Sequence, residues 1–366
     1  MSQLTCGFIG LGLIGGSIAK ALKASVTDIR IIAYDLNRQS LQLAREEGIA
    51  DITADRIDEN FSKCDYLFLC APVKKNDQNL ELVKKFLAPD CILTDVGSVK
   101  NTIHEAVMQA GLEHCFIGGH PMAGSERIGY VNSKASLLEN AYYILTPTPA
   151  VPAEKVEQFR RLVAGMGAIP LILEPDRHDY VTAAISHLPH VVAASLVNLI
   201  EDNDSEEGIM RMVAAGGFKD ITRIASSSSV MWQQICLTNG ENISSLLSRY
   251  IQSLTDFKDA IDGQDADTLY QLFNSARIYR DSFANASSGP IKRSFSINVD
   301  IADRAGALAH IVTLLADRDL SIKNIAISHN RETEDGVLRV EFYQEHSMTE
   351  GVKLLEEAGY TVHVHK

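Results

Sequence analysis

A short glycine-rich stretch near the start of the chain constrains the fold more than any other feature. The residues "GFIGLGLIGGSIAKAL" place Gly10, Gly12 and Gly15 in GxGxxG spacing, after an apolar run and before a helical pattern. This order predicts a strand, a tight turn and a helix whose free N–H groups and positive dipole end hold a pyrophosphate. We therefore expect a dinucleotide site formed by Gly10, Leu11, Gly12, Leu13, Ile14 and Gly15.

An acidic residue follows at the distance that such a site requires. Asp35 ends the second apolar run, about 20 residues after Gly15, where a carboxylate can accept from both ribose hydroxyls. The same carboxylate would repel a 2′-phosphate, which favours NAD over NADP. Arg38 keeps NADP as an alternative, because an arginine can accommodate that phosphate. Ala71 and Pro72, at the end of the apolar run "YLFLCAP", are expected to line the cofactor.

Two different patterns divide most of the chain. Short apolar runs such as "TCGFIG", "IRIIAYD" and "CILTDV" alternate with helical patterns, which predicts a Rossmann-type α/β domain with a parallel sheet over residues 1–173. Helical periodicity alone then predicts an all-helical domain over 174–287. Its apolar faces exceed what one helix layer needs, and such a surplus is typical of a homodimer interface.

The tail has a third pattern. "FSINVDI" alternates strictly, Leu308 to Leu315 follows helical spacing, and two strands, a helix and a last strand come after it. The order βαββαβ predicts a ferredoxin-like domain over residues 294–366. The small-residue, Gly-Pro segment Ala284–Arg293 is the predicted linker.

Composition excludes several classes of protein. A chain of 366 residues is long for one hydrophobic core, so two or three domains are expected. Its net charge of −13 argues against a nucleic-acid partner, although one or two placed cations can still bind an anionic metabolite. The six cysteines form no CxxC pair, and the apolar start has no cationic leader, so a cytoplasmic location is expected. We see no uncharged apolar run of about 18 residues and expect no membrane span.

Two polar side chains are predicted at the carboxyl edge of the sheet, where open α/β sheets bind ligands. Ser98 follows the run "CILTDV" and begins a helix, so it either caps that helix or enters the active site. His120 follows the short strand "CFIGG" in a glycine-flanked loop. A loop histidine is often structural, but a position beside a hydride carrier favours a base for an alcohol proton.

The helical domain carries two polar motifs. "SHLPH" places His187 and His190 three residues apart on one helix face. No cysteine or carboxylate lies at a compatible spacing, so no metal site is predicted, and His190 is the better candidate to face substrate. "GGFKDITR" places Lys219 and Arg223 four apart on one face. This is either a solvated basic face or an anion site, and the small, apolar flanks favour anion capture.

Together these motifs resemble the prephenate dehydrogenase family of tyrosine biosynthesis over nearly the whole chain. The specific parts are "GLGLIGGS" with Asp35, "DVGSVK", "GGHPMAGSE", "SHLPH" and "GGFKDITRIA". The resemblance implies an NAD-dependent oxidative decarboxylation of prephenate to 4-hydroxyphenylpyruvate. In that reaction His120 would accept a hydrogen bond from the ring hydroxyl, and Ser98 would share the hydroxyl or orient His120.

The resemblance also implies contacts with the rest of the substrate. Arg223 would pair with a substrate carboxylate, with His190 and the backbone of Gly216 nearby. Three further positions match family positions that gate the pocket: Glu126, His178 and Asp179.

The tail segment "DRAGALAHIVTLLADRDLSIKNI" resembles an ACT domain, a module that typically binds an amino acid. The resemblance implies feedback regulation by tyrosine. The amino acid would bind between the first strand and its helix, with its carboxylate at the helix N-terminus, at Asp303, Arg304, Ala305 and Gly306.

Three other functions remain open from the sequence. An arogenate dehydrogenase would use the same ring chemistry on a substrate with an amino acid side chain. A β-hydroxyacid dehydrogenase shares the dinucleotide domain, and Lys219 would then be its catalytic lysine, but "GGHPMAGSE" has no counterpart there. A non-catalytic NAD sensor that reports through an ACT domain is the third.

Overall fold

The computed structural model describes residues 3–124, 127–285, 295–302, 304, 306–329 and 336–364. Glu126, Asp303 and Ala305 therefore lie outside the described residues, as do residues 286–293 of the predicted linker. The chain forms two compact units, Met1–Ile278 and Tyr279–Lys366. The domain boundaries expected near residues 173, 287 and 294 stay predictions.

The first unit opens with alternating strands and helices. Its strands are β1 (Leu4–Ile9), β2 (Ile29–Tyr34), β3 (Ile52–Ala54), β4 (Tyr66–Leu69), β5 (Ile92–Asp95), β6 (Ile117–Pro121), β7 (Tyr142–Pro147) and β8 (Ile169–Ile172). The helices among them are α1 (Leu13–Ser25), α2 (Arg38–Glu46), α3 (Val73–Val83), α4 (Asn101–Ala110) and α5 (Ala153–Gly165). The first five strands form a parallel sheet in the order β3-β2-β1-β4-β5, which confirms the predicted Rossmann-type fold.

The parallel strands are apolar on both faces because helices cover both faces of the sheet. Phe8 and Ile9 are neighbours on β1 and point into two different cores, one on each side. The strand order reverses at β1, which has β2 on one side and β4 on the other. A crevice at the carboxyl ends of β1 and β4 follows from this reversal, and it is where such sheets bind ligands.

The last three strands of the unit form a separate sheet in the order β6-β7-β8. A parallel bridge between Leu93 and Phe116 places β6 beside β5, but β7 runs antiparallel to β6. The prediction of a wholly parallel sheet was wrong here. The described part of the β6–β7 connection holds two short 3₁₀ turns, Tyr130–Asn132 and Ala135–Leu138, instead of the helix that a parallel crossover needs.

His120 lies within β6, opposite Ile144 of β7, so its predicted place in a loop after the strand was wrong. The two glycines before it serve close packing. A Cβ at Gly118 would lie 2.3 Å from the Thr146 hydroxyl, and one at Gly119 would lie 2.6 Å from the Asp95 carbonyl oxygen. Only glycine lets β6 approach its neighbours this closely, so the "GGH" pattern marks a tightly packed strand.

The rest of the first unit is helical, as predicted. The helices are α6 (Pro175–Thr182), α7 (Leu188–Asn203), α8 (Ile209–Val213), α9 (Gly216–Thr222), α10 (Ser229–Thr238), α11 (Gly240–Asp262) and α12 (Ala266–Asn285), the last of which crosses into the second unit. A π-helical turn, Ala183–His187, joins α6 to α7. A 3₁₀ turn begins at Arg223, directly after α9, so Lys219 and Arg223 do not share one continuous α-helix as expected.

Large apolar side chains remain exposed along these helices, including Leu254 on α11 and Phe273 on α12. By length and composition alone, the stretch Pro175–Asn203 is also apolar enough to span a membrane. It contains the buried and hydrogen-bonded side chains of His178 and Asp179. Exposed apolar faces of this kind also suit an interface between protein chains.

The second unit contains β9 (Phe295–Ile301), α13 (Ala307–Ala316), β10 (Ile322–His329), β11 (Gly336–Phe342), α14 (Glu345–Glu357) and β12 (Val362–Val364). All its pairings are antiparallel, and the sheet order is β10-β11-β9-β12. Val299 of β9, Leu315 of α13 and Leu355 of α14 are fully buried in one shared core. The order and the layers confirm the predicted ferredoxin-like fold.

Candidate active site

The glycine-rich loop between β1 and α1 has the shape that a pyrophosphate requires. Gly10 has a φ of +99°, and a Cβ there would lie 2.8 Å from the backbone nitrogen of Ala71. A Cβ at Gly15 would lie 2.7 Å from the Gly10 carbonyl oxygen, whereas one at Gly12 would meet nothing within 4 Å. Gly12 is also the N-cap of α1, and no side chain caps that helix. The open space at Gly12 and the uncapped helix therefore fit a dinucleotide phosphate.

Asp35 is fixed beside this loop by two backbone donors. The N–H of Leu11 donates to one carboxylate oxygen at 2.6 Å, and the N–H of Asn37 donates to the other at 2.6 Å. The carboxylate therefore lies at the end of β2, next to the glycine loop, as a ribose ligand must. Arg38 begins α2, is largely exposed, and lies 3.8 Å from the Asp55 carboxylate.

The loop after β4 closes the other side of the crevice. Ala71 packs against Gly10, and Pro72 is the N-cap of α3. The structure thus brings the glycine loop, Asp35 and Ala71 together at one edge of the sheet.

A chain of hydrogen bonds runs from His120 into the interior. Its Nδ1 lies 2.8 Å from Nε2 of His178, and Nδ1 of His178 lies 2.7 Å from the Asp179 carboxylate. That carboxylate also accepts from the backbone N–H groups of Lys100 at 2.7 Å and Asn101 at 2.9 Å. Asp179, on α6, therefore caps α4. The expectation that His178 and Asp179 gate the pocket was wrong, because both are buried behind His120.

A buried ion pair holds the strand that carries His120. The Lys100 ammonium is fully buried, pairs with the Asp95 carboxylate, and donates to the Gly119 carbonyl at 2.8 Å. The other oxygen of Asp95 accepts from the Gly119 N–H at 3.1 Å. Both backbone groups of the residue before His120 are thus fixed by side chains. Sequence reasoning missed this pair, although "TDVGSVK" contains both charges at a strand end.

The environment favours the neutral form of both histidines in this hydrogen-bond chain, His120 and His178. Burial lowers the pKa of His120 well below its ordinary value, and the neighbouring His178, Lys100 and His187 lower it further. Burial also lowers the pKa of His178, while the hydrogen bond to Asp179 opposes that shift. A neutral imidazole can accept a proton, so His120 has the charge state of a base.

Ser98 is half-buried and lies two residues before Lys100, which is the N-cap of α4. The capping role considered for Ser98 was wrong, because Asp179 takes the first amide protons of that helix. Its role at the active site stays a prediction.

The "SHLPH" histidines both contact Trp232. The His190 ring stacks on the indole with centroids 3.6 Å apart, and its Nδ1 donates to the Ser186 carbonyl at 2.9 Å. His187 is buried, with its ring centroid 5.9 Å from that of Trp232, and its Nδ1 lies 3.2 Å from the Asn239 amide nitrogen.

A cavity of about 720 Å³ opens between α7, α10 and the turn after α9, and His190 and Trp232 line it. Burial lowers the pKa of His190, and the charge of Arg223 lowers it further, so the guanidinium lies near this ring. Arg223 is exposed, as is Gly216 at the start of α9. Among the described residues, no group of three or more His, Cys, Asp or Glu side chains is arranged to hold a metal ion.

A crevice that fits a dinucleotide and a buried, neutral histidine in the same unit define this protein, by class, as a nucleotide-dependent dehydrogenase. The model of the "Prephenate dehydrogenase, nucleotide-binding domain" family matches residues 18–171, and that of the "Prephenate dehydrogenase, dimerization domain" family matches residues 174–275. The chain is 37% identical over 335 residues to the prephenate dehydrogenase of Bacillus subtilis (strain 168). The aligned residues make up 91% of this chain and 90% of the relative. The chain therefore belongs to the prephenate dehydrogenase family.

Solved structures agree with this assignment. Prephenate dehydrogenase from A. aeolicus, in complex with hydroxyphenyl propionate and NAD+, has a TM-score of 0.73 and 33% identity, covering 77% of this chain and 99% of that one. Synechocystis arogenate dehydrogenase has a TM-score of 0.69 and 28% identity, covering 76% of this chain and 100% of that one. These matches confirm the predicted family, the class of enzyme and the nucleotide-binding and dimerization domains.

Proposed function

We propose that this chain catalyses the oxidative decarboxylation of prephenate to 4-hydroxyphenylpyruvate with NAD as the cofactor, which accepts a hydride from the ring carbon when bound. The observation that carries the proposal is His120. It is neutral, it is held rigidly at the carboxyl edge of the sheet, and it lies in the same unit as a crevice that fits a dinucleotide. These are the requirements for oxidising an alcohol with a base and a hydride carrier.

His120 holds the proton during the reaction. As the ring carbon loses its hydride, its hydroxyl becomes acidic, and Nε2 of His120 accepts the proton while a carbonyl forms. Loss of the ring carboxylate as CO2 then restores aromaticity, and the proton returns to the oxygen to give the phenol. Ser98 shares the same hydroxyl. Because CO2 leaves and the ring becomes aromatic, the overall step is effectively irreversible.

Other side chains of the unit bind the two substrates. Asp35 accepts from the ribose hydroxyls, and its fixed negative charge selects NAD over NADP. Arg223 pairs with a substrate carboxylate beside His190, in line with the effect of its charge on that ring. Two copies of the chain associate through the dimerization domain, whose exposed apolar side chains support a homodimer.

The test is an absorbance assay for the reduced cofactor. We expect purified protein to reduce NAD+ in the presence of prephenate, with much lower activity on NADP+. The comparison substrate is arogenate, because the Synechocystis neighbour is an arogenate dehydrogenase. Faster turnover of arogenate would replace prephenate in the proposal, and activity with neither substrate would refute it.

Regulation by tyrosine is the second part of the proposal. The second unit has the ferredoxin-like fold, and Gly306, with a φ of +89°, is the N-cap of α13 without a side-chain cap. The positive N-terminal end of α13 can hold the carboxylate of an amino acid. Arg304 lies in the described part of this turn, while Asp303 and Ala305 lie outside it. The effector site and the cytoplasmic location both stay predictions.

A further inference from the structure

We infer that His178 and Asp179 are positioning residues that hold His120 in one tautomer, with its proton on Nδ1 and its lone pair on Nε2. The inference rests on the proposed role of His120 as a proton acceptor. It assigns these two residues a function in the reaction although neither touches the substrate.

The direction of the hydrogen-bond chain is set at its buried end. The backbone N–H groups of Lys100 and Asn101 can only donate, and they donate to the two oxygens of Asp179. The carboxylate, held at the N-terminus of α4, is therefore fixed as an acceptor. Nδ1 of His178, at 2.7 Å from this carboxylate, must carry the proton that bridges them.

The same logic then fixes His120. A neutral His178 with its proton on Nδ1 has only a lone pair on Nε2. Nδ1 of His120 lies 2.8 Å from Nε2 of His178 and must donate to its lone pair. A neutral His120 with its proton on Nδ1 carries its lone pair on Nε2, the atom that accepts from the substrate.

Burial and ring geometry keep this hydrogen-bond chain rigid. His178 and Asp179 are buried, so bulk water does not compete for their hydrogen bonds. The two imidazole rings are steeply inclined, with centroids 5.0 Å apart and an interplanar angle of 64°, which lets one nitrogen point at the other. Without an acceptor at His178, Nδ1 of His120 would have no partner there, and the ring would be free to place its proton on Nε2.

Two substitutions of His178 separate this role from a purely structural one. His178→Gln keeps an amide donor for Asp179 and a carbonyl acceptor for His120, whereas His178→Phe keeps the ring volume and removes both. We expect kcat to fall about 10–100-fold in the Phe variant, less than removal of the base itself would cost. The Gln variant should stay within a few-fold of the wild type, and the KM for NAD+ should change little in both.

Nitrogen NMR with isotope-labelled histidine reads the tautomer of His120 directly and needs neither substrate nor cofactor. We expect the Nδ1–H tautomer in the wild type and the Gln variant, and its loss in the Phe variant. If the Phe variant does not fold, His178→Leu serves, since leucine also lacks a donor and an acceptor. An unchanged tautomer in the apolar variant, or equal losses of kcat in both variants, would overturn the inference. A retained Nδ1–H tautomer in a protein that does not oxidise prephenate would refute only the proposed function.

Discussion

Single residues at the site owe their positions to contacts with the backbone. Asp35 is held by two N–H groups, and the residue before His120 is held at both its N–H and its carbonyl by Asp95 and Lys100. For Asp35, such contacts fix the side chain without the entropy cost of ordering a second flexible side chain. Substitutions at Asp35 and His120 also remove these structural hydrogen bonds, so their kinetics are compared together with their melting temperatures.

Cofactor selectivity is expected to depend on Asp35. Replacing it by serine removes a charged hydrogen-bond acceptor worth about 1.5–3 kcal/mol, so the KM for NAD+ should rise roughly tenfold or more. The loss of negative charge should also weaken the rejection of NADP+. Steady-state kinetics with both cofactors measure this, and Asp55→Ser, an exposed carboxylate that pairs with Arg38, is the control. A wild-type KM and selectivity in Asp35→Ser would show that Asp35 is not the ribose ligand.

Catalysis is expected to depend on the neutral form of His120. His120→Asn should lower kcat about 10²–10⁴-fold with a smaller effect on the KM for substrate. The pKa of His120 is lowered by burial, so the neutral base persists to more acidic pH than an ordinary histidine. In the wild type, the loss of kcat on the acid side should therefore begin below about pH 6.5. A fully active Asn variant would return this residue to a structural role.

At the scale of elements, the site depends on how closely β6 fits between its neighbours. Gly118 and Gly119 leave no room for a side chain against β7 and the end of β5. Asp179 of α6 caps α4, so a helix from the second half of the unit completes one from the first half. The packing of these elements decides where His120 and His178 meet.

Gly119→Ala should disturb both stability and activity. Its Cβ would lie 2.6 Å from the backbone oxygen of Asp95, so the strand must shift, at a cost of about 1–3 kcal/mol in the free energy of unfolding. The shift displaces His120, and kcat should fall together with Tm. Gly165→Ala, at the end of α5 with nothing within 4 Å, is the matched control and should be neutral or slightly stabilising. Equal behaviour of the two variants in melting and kinetic assays would contradict this account of β6.

At the scale of the whole molecule, the proposed catalytic and regulatory functions fall in different compact units of the chain. The first unit contains the dinucleotide crevice and His120, and the second contains the ferredoxin-like sheet. Tyrosine can inhibit from the second unit only if it binds the inactive arrangement better than the active one. A preference of about 2 kcal/mol would shift that equilibrium roughly thirtyfold.

Truncation separates this regulation from competition at the active site. We expect tyrosine to inhibit the full chain, and a chain that ends near Ser288 to stay active without this inhibition. The measurement is the rate of NAD+ reduction against tyrosine concentration for both proteins, with their melting temperatures as a check on folding. Equal inhibition of the shortened and full chains would place the tyrosine effect at the active site.

The sequence by itself determined the features that arise from short-range patterns. The spacing of Gly10, Gly12 and Gly15, the apolar runs and the βαββαβ order of the tail indicated the folds, because turn, strand and helix preferences act between residues close along the chain. The motifs "GGHPMAGSE" and "GGFKDITRIA" indicated the family, because each is a short continuous stretch that can be read directly from the sequence.

Only the tertiary structure decided how His120 is held. His178 is 58 positions away from it, and Asp179 is 79 positions from the Lys100 amide that it accepts from. No local pattern encodes such pairs. The burial of Lys100 beside Asp95, the antiparallel course of β7 and the place of His120 inside a strand likewise depend on which elements pack together. Hydrogen bonds and desolvation in a buried site are properties of that packing, and so the residues that hold His120 were visible only in the folded chain.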